Sequence, residues 1–246
     1  MIEKARIDIL LVELGLADSR TKAQALVMAG VVLVDEKRVE KSSEKFEKTA
    51  TIRLKGASDE NKYVGRGGLK LEAALQQFDI DPSGWNCIDI GSSTGGFTDC
   101  LLQHGALKVT AVDSGTNQLD WSLRTDERVE IRENVNARYL KPTDFNVLFD
   151  LAVIDVSFIS VKKILPAIIP LLKTTGKMVV LIKPQFEVGR GEVGKGGIVR
   201  EAEKHARVIV EVNKFAESLP LKAHGVIESP ITGAEGNKEF LACYAK

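Results

Sequence analysis

Charged residues close four apolar runs in this 246-residue sequence. Asp89 ends Cys87-Ile88, Asp113 follows Val109-Thr110-Ala111-Val112, Asp155 follows Val153-Ile154, and Lys183 follows Leu181-Ile182. Apolar runs this short read as buried strands, and in an open α/β sheet the carboxyl ends of the strands line the crevice where ligands bind. A carboxylate at such a strand end can accept hydrogen bonds from ribose hydroxyls. A lysine and an aspartate that end apolar strands are poised beside each other if their strands are neighbours. An ordinary ion pair, or two exposed strand caps, would account for Asp155 and Lys183 equally well.

The run that contains Asp89 leads directly into Gly91-Ser92-Ser93-Thr94-Gly95-Gly96-Phe97. Glycines there let a ligand approach the backbone, and a helix that starts in the loop favours polar or anionic groups at its amino terminus. A dinucleotide fingerprint would require glycine where Ser93 stands. The form D-x-G-x-x-x-G-G instead resembles the S-adenosylmethionine loop of class I methyltransferases. A tight strand–helix turn with no ligand is the remaining reading, and Asp113 on the next strand weighs against it. Farther on, Gly189-Arg190-Gly191-Glu192-Val193-Gly194-Lys195-Gly196 nearly spells a phosphate-binding P-loop. Gly196 stands where a magnesium-binding Ser or Thr belongs, so the segment reads as a loop that gates a pocket, touches a phosphate backbone or simply connects.

The elements that must position these residues alternate. Helix 69–79, strand 86–90, helix 95–104, strands 108–112, 129–132 and 150–155, helix 161–172, strand 177–183, helix 200–218 and strands near 222–228 and 238–244 are expected. Runs such as Met178-Val179-Val180-Leu181-Ile182 are apolar throughout, as strands covered by helices on both faces must be. The fold class is therefore α/β, a Rossmann-like doubly wound sheet over 68–246. Residues 1–60 differ. Two short helices, the second capped by Ser19 and stopped at Gly30, precede strands at 31–34 and 51–54, giving a small α+β module. The polar stretch from Lys55 to Lys62 introduces a linker, set at 61–67.

Lys and Arg total 34, as do Asp and Glu, and 44% of the residues are hydrophobic. That is enough apolar material for a core, and the zero net charge argues against a nucleic-acid partner. Neither residues 1–64 nor the remainder is basic. Even so, Lys62, Arg66 and Lys70 lie in a stretch without an acid, and Arg20 and Lys22 share one helix start. Cys87, Cys100 and Cys243 are too few and scattered for a disulfide framework or a zinc site, and read as buried reduced thiols. No signal peptide or membrane-crossing run is evident, so a cytoplasmic protein is expected.

Arg6, Asp8, Ser19, Arg20, Lys22, Gly30 and Val32-Leu33-Val34-Asp35 resemble the alpha-L RNA-binding motif. In it Arg20 and Lys22 would contact phosphates, although a protein–protein adaptor with a solvated basic face fits the same residues. The whole chain resembles the TlyA family, ribosomal RNA 2′-O-methyltransferases of the FtsJ group that are historically called hemolysins. The resemblance is carried by Arg66-Gly67-Gly68-Leu69-Lys70-Leu71, Gly91–Phe97, Asp155-Val156-Ser157-Phe158-Ile159-Ser160, Lys183-Pro184-Gln185-Phe186-Glu187 and Gly236-Asn237-Lys238-Glu239. Gly65 departs from the serine frequent in the family, which touches the linker and not the chemistry.

The resemblance implies a catalytic tetrad of Lys70, Asp155, Lys183 and Glu239. It implies S-adenosylmethionine as cofactor, at Asp89, Gly91, Ser93, Thr94, Gly95, Gly96, Phe97, Asp113 and Asn136, with no metal. RNA contacts would come from Arg6, Ser19, Arg20, Lys22 and Arg66. The implied partner is ribosomal RNA or a ribosomal subunit, and the implied target a cytidine, in the large subunit ahead of the small. Lys183 is the expected proton acceptor, kept neutral by burial and by Lys70 as a neighbouring cation, with Asp155 orienting it and Glu239 balancing charge. An oxidoreductase, a membrane-active hemolysin and a non-enzymatic ribosome-binding module are the competing functions.

Overall fold

The computed structural model describes residues 4–35, 37–54, 62–189, 191–233 and 235–246. Two compact units divide between Lys62 and Tyr63. The polar stretch at 55–61, with the first residue of the expected linker, lies outside the described residues.

In the smaller unit, β1 (Lys4–Arg6) pairs antiparallel with β4 (Lys45–Glu47), while β2 (Val32–Val34) sits between β3 (Lys37–Arg38) and β5 (Ile52–Leu54). Helices α1 (Ile7–Glu13) and α2 (Arg20–Met28) bury Ile7, Leu10, Leu11, Ala23 and Val27 against Val32 and Val34. Ser19 caps α2: its Oγ accepts the backbone N–H of Lys22 at 3.2 Å, satisfying a donor that the first turn leaves unpaired. Gly30 ends the helix segment at φ +72°. The β1–β4 ribbon was not anticipated, because three residues such as Lys45-Phe46-Glu47 carry too little alternation to read as a strand.

The larger unit begins at Tyr63, whose side chain is buried in the core beneath α3 (Gly67–Gln77). That burial draws 63–67 of the expected linker into the larger unit. There follow β6 (Asn86–Ile90), α4 (Gly96–Gln103), β7 (Lys108–Val112), α5 (Trp121–Arg124), β8 (Val129–Arg132) and β9 (Phe149–Ile154). After these come α6 (Leu165–Ile168), β10 (Leu172–Ile182), α7 (Pro184–Glu187), α8 (Ala202–Glu217), β11 (Lys222–Glu228) and β12 (Phe240–Ala245). The sheet order is β11-β12-β10-β9-β6-β7-β8. The five strands β6 to β10 are parallel, and β12 runs antiparallel to both β10 and β11.

The continuous apolar strands have the expected cause. Ile88, Ile90, Ala152, Ile154, Met178, Val180 and Ile182 enter one core, and Cys87, Leu151, Val153, Val179 and Leu181 enter the other. Successive residues thus serve opposite faces of one sheet. The expected helix 161–172 is broken into a 3-10 turn at 161–163, α6, and a second 3-10 turn at 169–171, after which β10 starts at Leu172. Pro166 and Pro170 explain the break, since each lacks the amide hydrogen that a continuing helix needs. Among the described residues, no helix is long and apolar enough to cross a membrane.

Candidate active site

The glycine loop is shaped by close backbone approach. Gly91 follows β6 at φ +85°, and a Cβ there would lie 2.2 Å from the carbonyl oxygen of Asp155, so only glycine fits. Gly95, at φ +99°, is the N-cap of α4, and Ser93 is itself left-handed at φ +47°. The Ser93 N–H donates to Asp113 Oδ2 at 2.8 Å and the Gly115 N–H to Oδ1 at 2.7 Å. The Asp113 carboxylate is thereby fixed, and it keeps further lone pairs for hydroxyl donors.

Gly91, Ser93, Asp113, Asn136, Asp155 and Phe158 help to line a cavity of about 480 Å³. Asn136 also caps a 3-10 turn by accepting the Arg138 N–H at 3.2 Å. A glycine cradle, a strand-end carboxylate and a half-open cavity fit an adenosyl cofactor with ribose hydroxyls. Of the other residues expected at the cofactor, Thr94, Gly96 and Phe97 line a second cavity instead, and Asp89 and Gly95 line neither. Asp89 is wholly buried, and its Oδ2 accepts the Thr98 hydroxyl at 2.7 Å while Oδ1 has no partner. Burial pushes its carboxyl up to about 7, the Thr98 hydrogen bond opposing. Asp89 thus supports the loop from behind.

A second cavity of about 490 Å³ shares Gly91, Ser93 and Asp155 with the first and adds Arg66, Lys70, Thr94, Phe97, Lys183 and Glu239. Sheet order explains why these side chains meet. Asp155 follows β9, Lys183 follows the adjacent β10, and Glu239 precedes β12, whose Phe240 opposes Ile182. Lys183 Nζ lies 2.5 Å from Asp155 Oδ1, an ion pair without hydrogen-bond alignment. Lys70, in the first turn of α3, donates from Nζ to Glu239 Oε2 at 2.5 Å, with side chains 10% and 3% exposed. The four residues therefore form two ion pairs on one cavity. Lys70, expected to act on Lys183 as a neighbouring cation, is matched to Glu239.

Sequence reasoning assigned no role to three neighbours. Lys183 Nζ donates to Ser157 Oγ at 2.9 Å. Phe158 is 91% exposed at φ +65°, its ring centroid 5.2 Å from that of Phe186. Glu187 accepts the Ser160 hydroxyl and the Val161 N–H, each at 2.7 Å, and so ties the loop after β9 to α7. All three lay inside segments already singled out, but their contacts depend on loop conformation rather than periodicity.

In the smaller unit Asp8 is fully buried and gathers Arg6, Arg20 and Gln24, with donors at 3.0, 3.0 and 3.1 Å. The Arg6 guanidinium holds its carboxyl well below the usual range, against the cost of burial. Lys22 pairs with Asp18 at 2.8 Å. The expected phosphate-binding cations are thus each matched by an acid, Ser19 serves as the helix cap, and Arg66 lines the second cavity of the larger unit.

The sheet, the glycine loop and the acid at the end of the second strand define the fold of class I S-adenosylmethionine-dependent methyltransferases. A model of FtsJ-like methyltransferases matches residues 63–246, and one of S4 domains matches 5–52. The chain belongs to the TlyA family of FtsJ-like methyltransferases, in which hemolysin persists as a name. It is 42% identical over 240 residues to the 16S/23S rRNA (cytidine-2′-O)-methyltransferase TlyA of Mycobacterium tuberculosis, covering 98% of this chain and 89% of that protein. To Hemolysin A of Brachyspira hyodysenteriae it is 43% identical over 229 residues, covering 93% of this chain and 94% of that protein. A solved hemolysin-named structure from Streptococcus thermophilus superposes with a TM-score of 0.75 at 46% identity, covering 100% of this chain and 90% of that one.

Proposed function

We propose that the protein methylates a ribose 2′-hydroxyl of ribosomal RNA, using S-adenosylmethionine, with a cytidine of the large subunit as the first target to test. The observation that carries this reading is the pair of ion pairs, Lys183–Asp155 and Lys70–Glu239, on a cavity that shares Gly91, Ser93 and Asp155 with the one Asp113 lines. The relatives named for cytidine 2′-O-methylation and the S4 match support RNA as the substrate. Ribosomal subunits place such an enzyme in the cytoplasm.

The Gly91–Phe97 loop, with Gly95 shaping it from behind, and Asp113 and Asn136 would hold the cofactor. When bound, S-adenosylmethionine supplies an electrophilic sulfonium methyl for in-line attack by oxygen. A ribose hydroxyl is a weak nucleophile, so proton removal is the protein's main task. Lys183 Nζ takes that proton, and Asp155 beside it balances the charge. Lys70 and Glu239 hold the opposite wall in place with no net charge. Lys183→Ala is expected to abolish methyl transfer while S-adenosylhomocysteine affinity, measured by calorimetry, stays within about twofold. Ribose-methylation mapping by mass spectrometry, in cells with and without the protein, identifies the nucleotide. Undiminished turnover by the variant, or identical maps, would overturn the reading.

A further inference from the structure

We infer that Ser157 is a positioning residue for the reaction, its hydroxyl setting the direction in which Lys183 faces the acceptor hydroxyl. This rests on the methyl-transfer reading above and deepens it.

A lysine at the end of a flexible stem does not aim itself. Its Nζ has tetrahedral valence, and in the neutral form two N–H bonds and one lone pair must be apportioned. The Asp155 contact is close but not aligned as a hydrogen bond, so it attracts charge without setting direction. The bond to Ser157 Oγ at 2.9 Å is the directional one. With one N–H on Ser157, the remaining valences of Nζ are left for Asp155 and for the cavity that Lys183 and Asp155 both line. Ser157 itself borders the cofactor cavity and a third one of about 300 Å³ that also contains Lys183 and Glu239. Ser157 therefore lies between the cofactor cavity and Lys183.

Two further observations indicate that this loop conformation is enforced. Phe158, the next residue, is held in the left-handed region at φ +65°, which costs a bulky side chain of order 1–3 kcal/mol. The loop is pinned three residues on by the buried Glu187 carboxylate, through Ser160 and Val161. A neutral acceptor also suits the task better than an acid would. It orients the amine without adding a second negative charge that would favour the ammonium. Among the described residues, the charged groups around Lys183 are Asp155 in contact with it, Arg66, Lys70 and Glu239 on the same cavity, and Glu235 on the third cavity.

Full-length Ser157→Ala, Ser157→Thr and Ser157→Asp variants test this with ribosomal RNA and labelled cofactor. Ser157→Ala is expected to lower kcat by at least about tenfold, the lower end of what positioned proton transfer contributes. Its KM for RNA and its S-adenosylhomocysteine affinity by calorimetry should stay within about twofold. Ser157→Thr, which keeps the hydroxyl, is expected to restore kcat to within about threefold of the parent. Ser157→Asp should move the rising limb of the kcat–pH profile upward by about one unit or more, as a carboxylate near an ammonium does. A kcat unchanged in Ser157→Ala, a threonine variant as impaired as the alanine one, or an unmoved profile in the aspartate variant would overturn the role of Ser157 while leaving methyl transfer intact. An inactive parent enzyme that binds S-adenosylhomocysteine would overturn both.

Discussion

The Lys70–Glu239 pair offers a quantitative test, because it is both buried and assigned to the site. Its charges sit 2.5 Å apart, and at an effective dielectric of about 20 their attraction is about 7 kcal/mol. Bringing each ion out of water costs several kcal/mol, so the pair as a whole is close to neutral for stability. Removing one partner is a different matter, since it strands the other charge in a wall with almost no access to water. Lys70→Met and Glu239→Leu are each expected to destabilise the larger unit by about 3–5 kcal/mol. The double variant replaces the pair with apolar side chains and should lose only about 1–2 kcal/mol, a coupling of several kcal/mol between the sites. Urea titration followed by tryptophan fluorescence reads this unit alone, because both tryptophans, Trp85 and Trp121, lie within it. Methyl transfer should be lost in all three variants. Additive losses in the double variant would refute the buried pairing; a fully active double variant would refute its place in the chemistry.

Three more outcomes follow from individual residues. Gly91→Ala must relieve a 2.2 Å contact with Asp155 O and a φ of +85°, so S-adenosylhomocysteine affinity should drop by about tenfold or more in calorimetry; an unchanged affinity would count against the cradle. The Asp89 carboxyl is raised by burial from its ordinary 3.8 to about 7, so its contribution is complete below about pH 4 and is lost as pH rises toward 7. Three units amount to about 4 kcal/mol, and Asp89→Asn should flatten that fall between pH 5 and 8 in urea midpoints; parallel pH curves for both proteins would contradict it. Asp8 is shifted the other way, so its contribution is present above its ordinary 3.8 and is lost as pH falls below it; Asp8→Asn should cost the smaller unit about 2 kcal/mol, seen as faster amide exchange over 4–54, and unaltered exchange would refute it.

Much of this was legible in the sequence, for reasons that differ by element. The parallel strands were readable because both faces of the sheet are covered, leaving almost no polar residue between Met178 and Ile182. Strand ends then located Asp113, Asp155 and Lys183 at the crevice from chain order alone. Helix 161–172 misled because its apolar spacing concealed what Pro166 and Pro170 forbid. Lys70 and Glu239 could be paired only once α3 and β12 were known to meet at one cavity, 169 residues apart in the chain. Asp89 had the type and place of a ligand contact, but the inward pleat of β6 turned it toward Thr98 instead.

Net charge failed as a guide to function for a physical reason visible in the same contacts. Lys183 faces Asp155 and Lys70 faces Glu239; Arg6 and Arg20 face Asp8, and Lys22 faces Asp18. Five cations assigned to chemistry or RNA face four acids in these contacts, Arg6 and Arg20 sharing Asp8, so most of their positive charge is offset locally. The acids are what hold these side chains in place, since a buried or aimed cation requires a partner. A surface balanced in this way attracts RNA only weakly at long range. On the proposed function, discrimination then comes from the shape of a folded substrate meeting fixed groups, which is how single-stranded and looped RNA segments present a ribose hydroxyl. Zero net charge is therefore compatible with the proposed RNA substrate, because local pairing conceals the cations that the sequence singles out.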